Sequence, residues 1–378
     1  MINQQQPFYI KITILLFLAG LLSVLIIFAG DIIIPLSYSL LLSILLLPIV
    51  HFFEKRKLGR VPSILISLFL STVLIGALVY FIASQFMNFA DDLPAIKLQL
   101  NEHYHTMQVW VRKHFNMTMR EQHDLVDKAT DKISQESGGY LGQTFFSATK
   151  FFMVVLLLPI YAFLFLYYRE MLKKFILAVL PDKDEYKILD VMEESKLILQ
   201  GYLAGLMIEM AIVASINISG FLIVGIKYAV FLGILAAILN LIPYIGMLIA
   251  AIICMMITLT SSSELSDVIW TLGILIVVQF IDNNIIMPKV VSGRVRVNAL
   301  VSIVGVLIGG ALSGISGMFL SIPVIAILKA IFERLEPLKP WGMLLGDENN
   351  HSSKVSIPSL SKAGNHKNDQ HKDNSDQK

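Results

Sequence analysis

Two uncharged runs constrain this chain more than any other feature. No Asp, Glu, Lys or Arg occurs between Lys227 and Glu264, a stretch of 36 residues, or between Arg296 and Lys329, a stretch of 32. As straight helices they would measure about 54 and 48 Å at 1.5 Å per residue, against a hydrocarbon core about 30 Å thick. Each is too long for one crossing and too short for two crossings and a turn. Each is also interrupted near its middle, by NLIPYIGM over Asn240–Met247 and by GGALSGISGM over Gly309–Met318. Proline removes a backbone hydrogen bond and glycine weakens a helix, so both are natural break points. Non-helical backbone is too costly facing lipid and survives where protein or a polar cavity covers it. The pattern predicts two broken helices or re-entrant helical hairpins at matching positions.

The rest of the chain fits the same solvent. Hydrophobic residues make up 56% and charged residues 15%, with a mean hydropathy of +0.71. A soluble domain carries about 25% charge. The reading is an all-α, polytopic helical membrane protein with about eight hydrophobic elements. Residues 1–86 hold three spans, near Phe8–Ala29, Ile32–Phe53 and Val61–Phe86. Residues 87–144 form a polar insert whose Ile96, Leu100, Met107, Trp110 and Val111 recur at helical spacing, as in amphipathic helices outside the bilayer. Residues 145–196 hold a fourth span, Phe145–Tyr168, and a charged connector. Residues 197–335 form a core with the two interrupted elements, and 346–378 a polar tail too poor in apolar residues to fold alone.

Lys and Arg orient the spans. Lys55, Arg56, Lys57 and Arg60 place the loop after the second span in the cytoplasm, with both termini there and the insert outside. The hairpin reading keeps Lys289, Arg294 and Arg296 cytoplasmic as well. It makes the spans starting near Leu197 and Val268 antiparallel, as inverted repeats require. A loose internal repeat agrees: Gly225–Leu235 resembles Gly293–Leu307.

Ionisable groups at membrane depth are costly, so each is a functional candidate. Glu209 lies mid-span, where it can carry a proton, bind a cation or join helices by a hydrogen bond. Asp282 begins DNNIIMPKVV, with Gln279 one turn earlier and Asn283 beside it. These groups can bind a cation or polar solute, or merely end a helix at the interface. Asn217, Asn240, Ser313 and Ser316 add neutral hydrogen-bonding groups. Pro243, Tyr244, Gly246, Gly314 and Gly317 mark the breaks, where exposed N–H and C=O groups can hold a ligand. Any path is expected to run between NLIPYIG and SGISGM, near Glu209 and Asp282.

Other chemistry finds little support. A net charge of +2 implies no nucleic-acid partner, and the single Cys254 sits in an apolar run and reads as packing. His103, His105, His114 and His123 lack a clear ligand face, so no metal centre or cofactor is expected. A G-x-S-G string at Gly314–Gly317 lacks a histidine base at membrane depth, so no catalytic residues are assigned. No phosphate-binding loop is present, so an energised transporter would draw on gradients or a separate subunit.

Four stretches carry a family resemblance: QGYLAG at Gln200–Gly205, LNLIPYIG at Leu239–Gly246, QFIDNNIIMPKVVSGRV at Gln279–Val295, and LIGGALSGISGMFLSIPV at Leu307–Val324. In order and spacing they resemble the autoinducer-2 exporter family, the PerM-type permeases, over roughly Phe8 to Pro337. The resemblance implies a multi-pass bacterial plasma-membrane permease or exporter of a small solute or signalling molecule. Some relatives are assigned to sodium/proton exchange, so Na+ and H+ join the solute and the lipid bilayer as expected partners. A non-transporting scaffold and a homo-oligomer held by the insert are compatible with the same pattern. The chain departs from the family at Val297-Asn298-Ala299, where proline is frequent. A cysteine placed at Ser292 tests the first hairpin: it should react with a membrane-impermeant maleimide from the cytoplasmic side, and labelling from outside alone would rule that hairpin out.

Overall fold

The computed structural model describes residues 8–91, 113, 156–179, 185–243, 245–262, 264–291, 297–335 and 338–346. Apart from α3's final turns, Met87–Asp91, and Lys113, the insert lies outside them, as does the tail beyond Gly346. The described elements are helices: α1 Phe8–Phe28, α2 Gly30–Lys55, α3 Arg60–Asp91, α4 Leu156–Tyr167, α5 Arg169–Val179, α6 Glu185–Val224, α7 Ala229–Asn240, α8 Gly246–Ser261, α9 Leu265–Val290, α10 Ala299–Arg334 and α11 Lys339–Leu345. By length and composition alone five of them, α2, α3, α6, α9 and α10, could cross a membrane, although α10 folds back on itself. Large apolar side chains face outward along them; on α3, Phe69 is 72% exposed, Leu74 71% and Tyr80 76%. Water would not tolerate so continuous an apolar surface, and lipid does.

The stretch expected as a charged connector is largely helical. Most of Arg169–Lys196 belongs to α5 and to the first three turns of α6, so α6 runs 40 residues, far beyond one crossing. Its length follows from composition, since Glu185–Lys196 alternates charged and apolar residues without Gly or Pro. Arg334 at the end of α10 clasps this polar end, with Nε 2.7 Å from Asp190 and a terminal nitrogen 3.4 Å from Glu194.

Both uncharged runs fold back on themselves. In the first, α7 and α8 are antiparallel arms. A Cβ on Gly246 would sit 1.8 Å from the Leu239 carbonyl oxygen, and farther along the Cys254 thiol points to the Leu232 carbonyl at 3.8 Å. From 239/246 to 232/254 the contacting residues grow farther apart in sequence yet stay close in space, which only a hairpin gives. At about 18 and 24 Å the arms are too short to cross alone. The loop into α7 is a Schellman cap: Gly225 takes φ +84°, Ile226 N–H bonds the Phe221 carbonyl and Gly225 N–H that of Leu222.

The second run is helical along most of α10, yet Ser313 and Gly314 leave helical geometry, and Gly314 takes φ +59°. A Cβ on Gly309 would meet the Gly317 oxygen at 2.3 Å, and one on Gly305 would meet Ile325 at 2.2 Å. In a straight helix residues 305 and 325 would lie about 30 Å apart. Residues 299–312 and 315–334 are therefore the arms of a second hairpin. Its start needs no proline: the Asn298 side chain caps α10 by accepting from Leu300 N–H at 2.8 Å.

Around these hairpins α6 acts as the common wall. Its Leu199, Leu203 and Leu206 pack with Leu41 of α2; Val213 packs with Ala237 and Val278; Phe221 closes on the first hairpin's Ala229, Leu232 and Ala250. In the front half, α2, α3 and α4 join through Leu46, Val50, Ile64, Leu68, Ala162 and Leu166. Buried serines let these helices approach, and the Ser39 hydroxyl reaches both the Pro35 carbonyl at 2.7 Å and the Leu158 carbonyl at 3.0 Å.

Gly317→Ala tests the second hairpin, because the new methyl would sit 2.0 Å from the Gly309 oxygen. Overpacking of this kind costs about 1–3 kcal/mol. It should lower the thermal unfolding midpoint in detergent, whereas Gly76→Ala, with nothing within 4 Å, should leave it unchanged or raise it.

Candidate functional site

Helical spacing on α6 places Tyr202, Leu206 and Glu209 on one face, two turns from end to end. Opposite them α9 loses its α geometry. Residues Asp282–Ile286 form a π-helical turn, a rare feature concentrated at functional sites. This turn buries Asp282, 2% exposed, against Glu209, 6% exposed. The two carboxyl groups face each other closely enough to interact electrostatically.

The end of α7 supplies the third member. Asn240 Nδ2 donates to Asp282 Oδ2 at 2.9 Å. Asp282 Oδ1 and Glu209 Oε2 are buried with no partner of their own. An unsatisfied buried polar atom costs about 1–3 kcal/mol, so the arrangement is poor as packing alone. Two ionised carboxyls so close in a medium of low polarity would repel strongly, so the pair favours a bound proton, cation or donor between them.

These groups line a cavity of about 600 Å³. Of the residues expected from sequence, Glu209, Asn240, Pro243, Gln279, Asp282 and Asn283 border it. Gln279 Nε2 donates to Asn283 Oδ1 at 3.0 Å, which orients both amides. Gly246 stands beside the cavity as the close-packed end of the first turn, and Tyr244 lies outside the described residues. Asn217 lies two turns along α6 from Glu209, buried with its Oδ1 unpartnered, and does not border the cavity.

The second tip is placed elsewhere. Ser313, Gly314, Ser316 and Gly317 do not border the cavity. They turn the hairpin against α2, where the Tyr38 hydroxyl reaches the Ser316 carbonyl at 3.5 Å and the Tyr38 ring stacks on Phe319. The second hairpin instead meets the cavity at its base, through Ala299, Ser302 and Ile322. Tyr202 and Ser302 are cavity residues that the sequence reading missed. The signal for Tyr202 was available, seven residues before Glu209 and hence on its face; Ser302 shows no comparable cue. His51, the one histidine among the described residues, ends α2 half-exposed.

A profile for AI-2E family transporters matches residues 12–336. The chain belongs to the AI-2E transporter family. It is 25% identical over 305 residues to YrrI of Bacillus subtilis, named as a candidate transport protein, covering 79% of this chain and 85% of that one. YhhT of Escherichia coli K12, also named as a candidate transport protein, is 26% identical over 343 residues, covering 90% and 96%. The candidate permease PerM of the same organism is 24% identical over 177 residues, covering 47% and 50%. For this AI-2E family member the four sequence stretches have physical roles. Gln200 ties α6 to the Ile44 carbonyl of α2 at 3.0 Å, and Gly205 admits the Val290 backbone, whose oxygen a Cβ would meet at 2.8 Å.

Asn240→Ala should strand the second Asp282 oxygen and cost about 1–3 kcal/mol, read as a lower unfolding midpoint. Asn240→Asp, which sets a third carboxyl against the pair, should destabilise more.

Proposed function

We propose that this multi-pass plasma-membrane transporter moves a small polar solute rich in hydrogen-bond donors, and that the solute passes the Glu209–Asp282 pair. One observation carries the reading: buried, unpartnered carboxyl oxygens of two helices border a cavity of about 600 Å³. That volume lies in the range of small-molecule sites. Acceptors without donors favour a ligand that brings its own, such as a polyhydroxylated solute. The short arms of the first hairpin provide an element that can move without unfolding a whole span. Both termini are assigned to the cytoplasm and the insert to the outside, from the basic residues at Lys55–Arg60.

A second reading rests on the same pair. A carboxyl couple that shares a proton can exchange it for a cation, which would make the chain a cation/proton antiporter. Proteoliposomes separate the two. Uptake of labelled polyols above empty vesicles supports the solute permease; a cation-driven pH change without solute movement supports the antiporter; neither signal would leave the scaffold. Where transport depends on pH, Glu209→Gln should remove that dependence while retaining flux. An unchanged pH profile would take the proton away from Glu209.

A further inference from the structure

Outside the transport cavity, an open groove of about 820 Å³ lies between the turn that joins α2 to α3 and helix α5. Arg60 and Lys174 stand in it, with the rings of Tyr167 and Tyr168 and the apolar Val61 and Met171. Arg60 is fixed in place: a terminal nitrogen donates to the Leu166 carbonyl at 3.2 Å and its guanidinium lies 5.7 Å from the Tyr167 ring centroid. Its Nε is buried and has no partner. Among the described residues neither Arg60 nor Lys174 pairs with a carboxylate.

The nearby acids are already engaged. Glu54 takes two bonds from Arg169, at 2.9 and 3.0 Å, and Glu170, which also borders the groove, lies 3.7 Å from Arg169 Nε. Lys55, Arg56, Lys57 and Lys173 add positive charge around the same turn. The groove thus presents two basic side chains, one of them a planar donor already oriented.

Its apolar surroundings identify the kind of anion. Met171, Phe175 and Val179 repeat every four residues along α5, all exposed, and α5 buries no residue at all. Val61, Leu65 and Phe69 repeat the same way down α3 and are exposed too. This second stripe runs from the groove along the membrane-facing helix. An amphipathic helix with lysines on one side and such a face on the other lies in the bilayer interface. We infer that the groove binds the phosphate of an anionic glycerophospholipid, with an acyl chain along Val61, Leu65 and Phe69.

The full chain, purified in detergent and mixed with equal phosphatidylglycerol and phosphatidylcholine, tests this by native mass spectrometry. The wild-type protein should retain phosphatidylglycerol preferentially. Lys174→Gln, at an accessible position, should reduce that preference about fivefold, the worth of one basic residue at an anionic surface. Arg60→Gln should reduce it at least as far, and Lys339→Gln should not change it. Equal retention of the two lipids, or a preference that survives both groove substitutions, would overturn the site. Inorganic phosphate alone stabilising the protein as well as phosphatidylglycerol would overturn the lipid as its occupant.

Discussion

Every backbone N–H and C=O that enters hydrocarbon must find a partner within the protein, and the two hairpins are this chain's answer to that demand. Three of the four arms are too short to span alone, so each hairpin relies on its paired arm and on α6. Closing the arms requires backbone to touch backbone, and glycine permits it: Gly246 against Leu239, Gly309 against Gly317. Large side chains there would push the arms apart and expose the turns. The rest of the architecture serves these turns. Phe221 and the alanines of the first hairpin fill its inner face, and Tyr38 and Phe319 brace the second against α2.

The cavity is what remains where this packing is left incomplete. A helix that stayed α through Asp282 would turn successive residues at an even 100°; the π turn delays that rotation for the residues that follow Asp282. The first hairpin then contributes Asn240 from its last α7 residue, so the polar cluster draws on α6, α7 and α9 together. A change in the angle of the first hairpin would alter the hydrogen bond to Asp282 directly. Site and first hairpin are therefore joined by one 2.9 Å contact.

Much of this was legible in residue order. Run lengths against bilayer thickness announced the two reversals, and the charged ends at Lys55–Arg60 bounded the α2–α3 turn. Glu209 and Asp282 drew attention because charge is rare at that depth. What sequence concealed was register. SGISGM and NLIPYIG look equivalent as breaks, yet only the first tip reaches the cavity, because which wall a hairpin leans on depends on packing across distant helices. The charged connector before Lys196 hid the helical pattern of Glu185–Lys196 behind its charges. Ser302 stayed hidden because a serine in an apolar run is most often a packing residue.

The length of α6 has a mechanical side. From Glu209 to Asp190 is nineteen residues, about 28 Å of rigid rod. A tilt of about 10° with its pivot at the carboxyl pair would sweep Asp190 through about 5 Å. Arg334 holds that end at 2.7 Å. Such a swing exceeds the reach of an ion pair, so either α10 travels with the rod or the clasp opens. Arg334 is thus the contact through which any such displacement of α6 would reach α10.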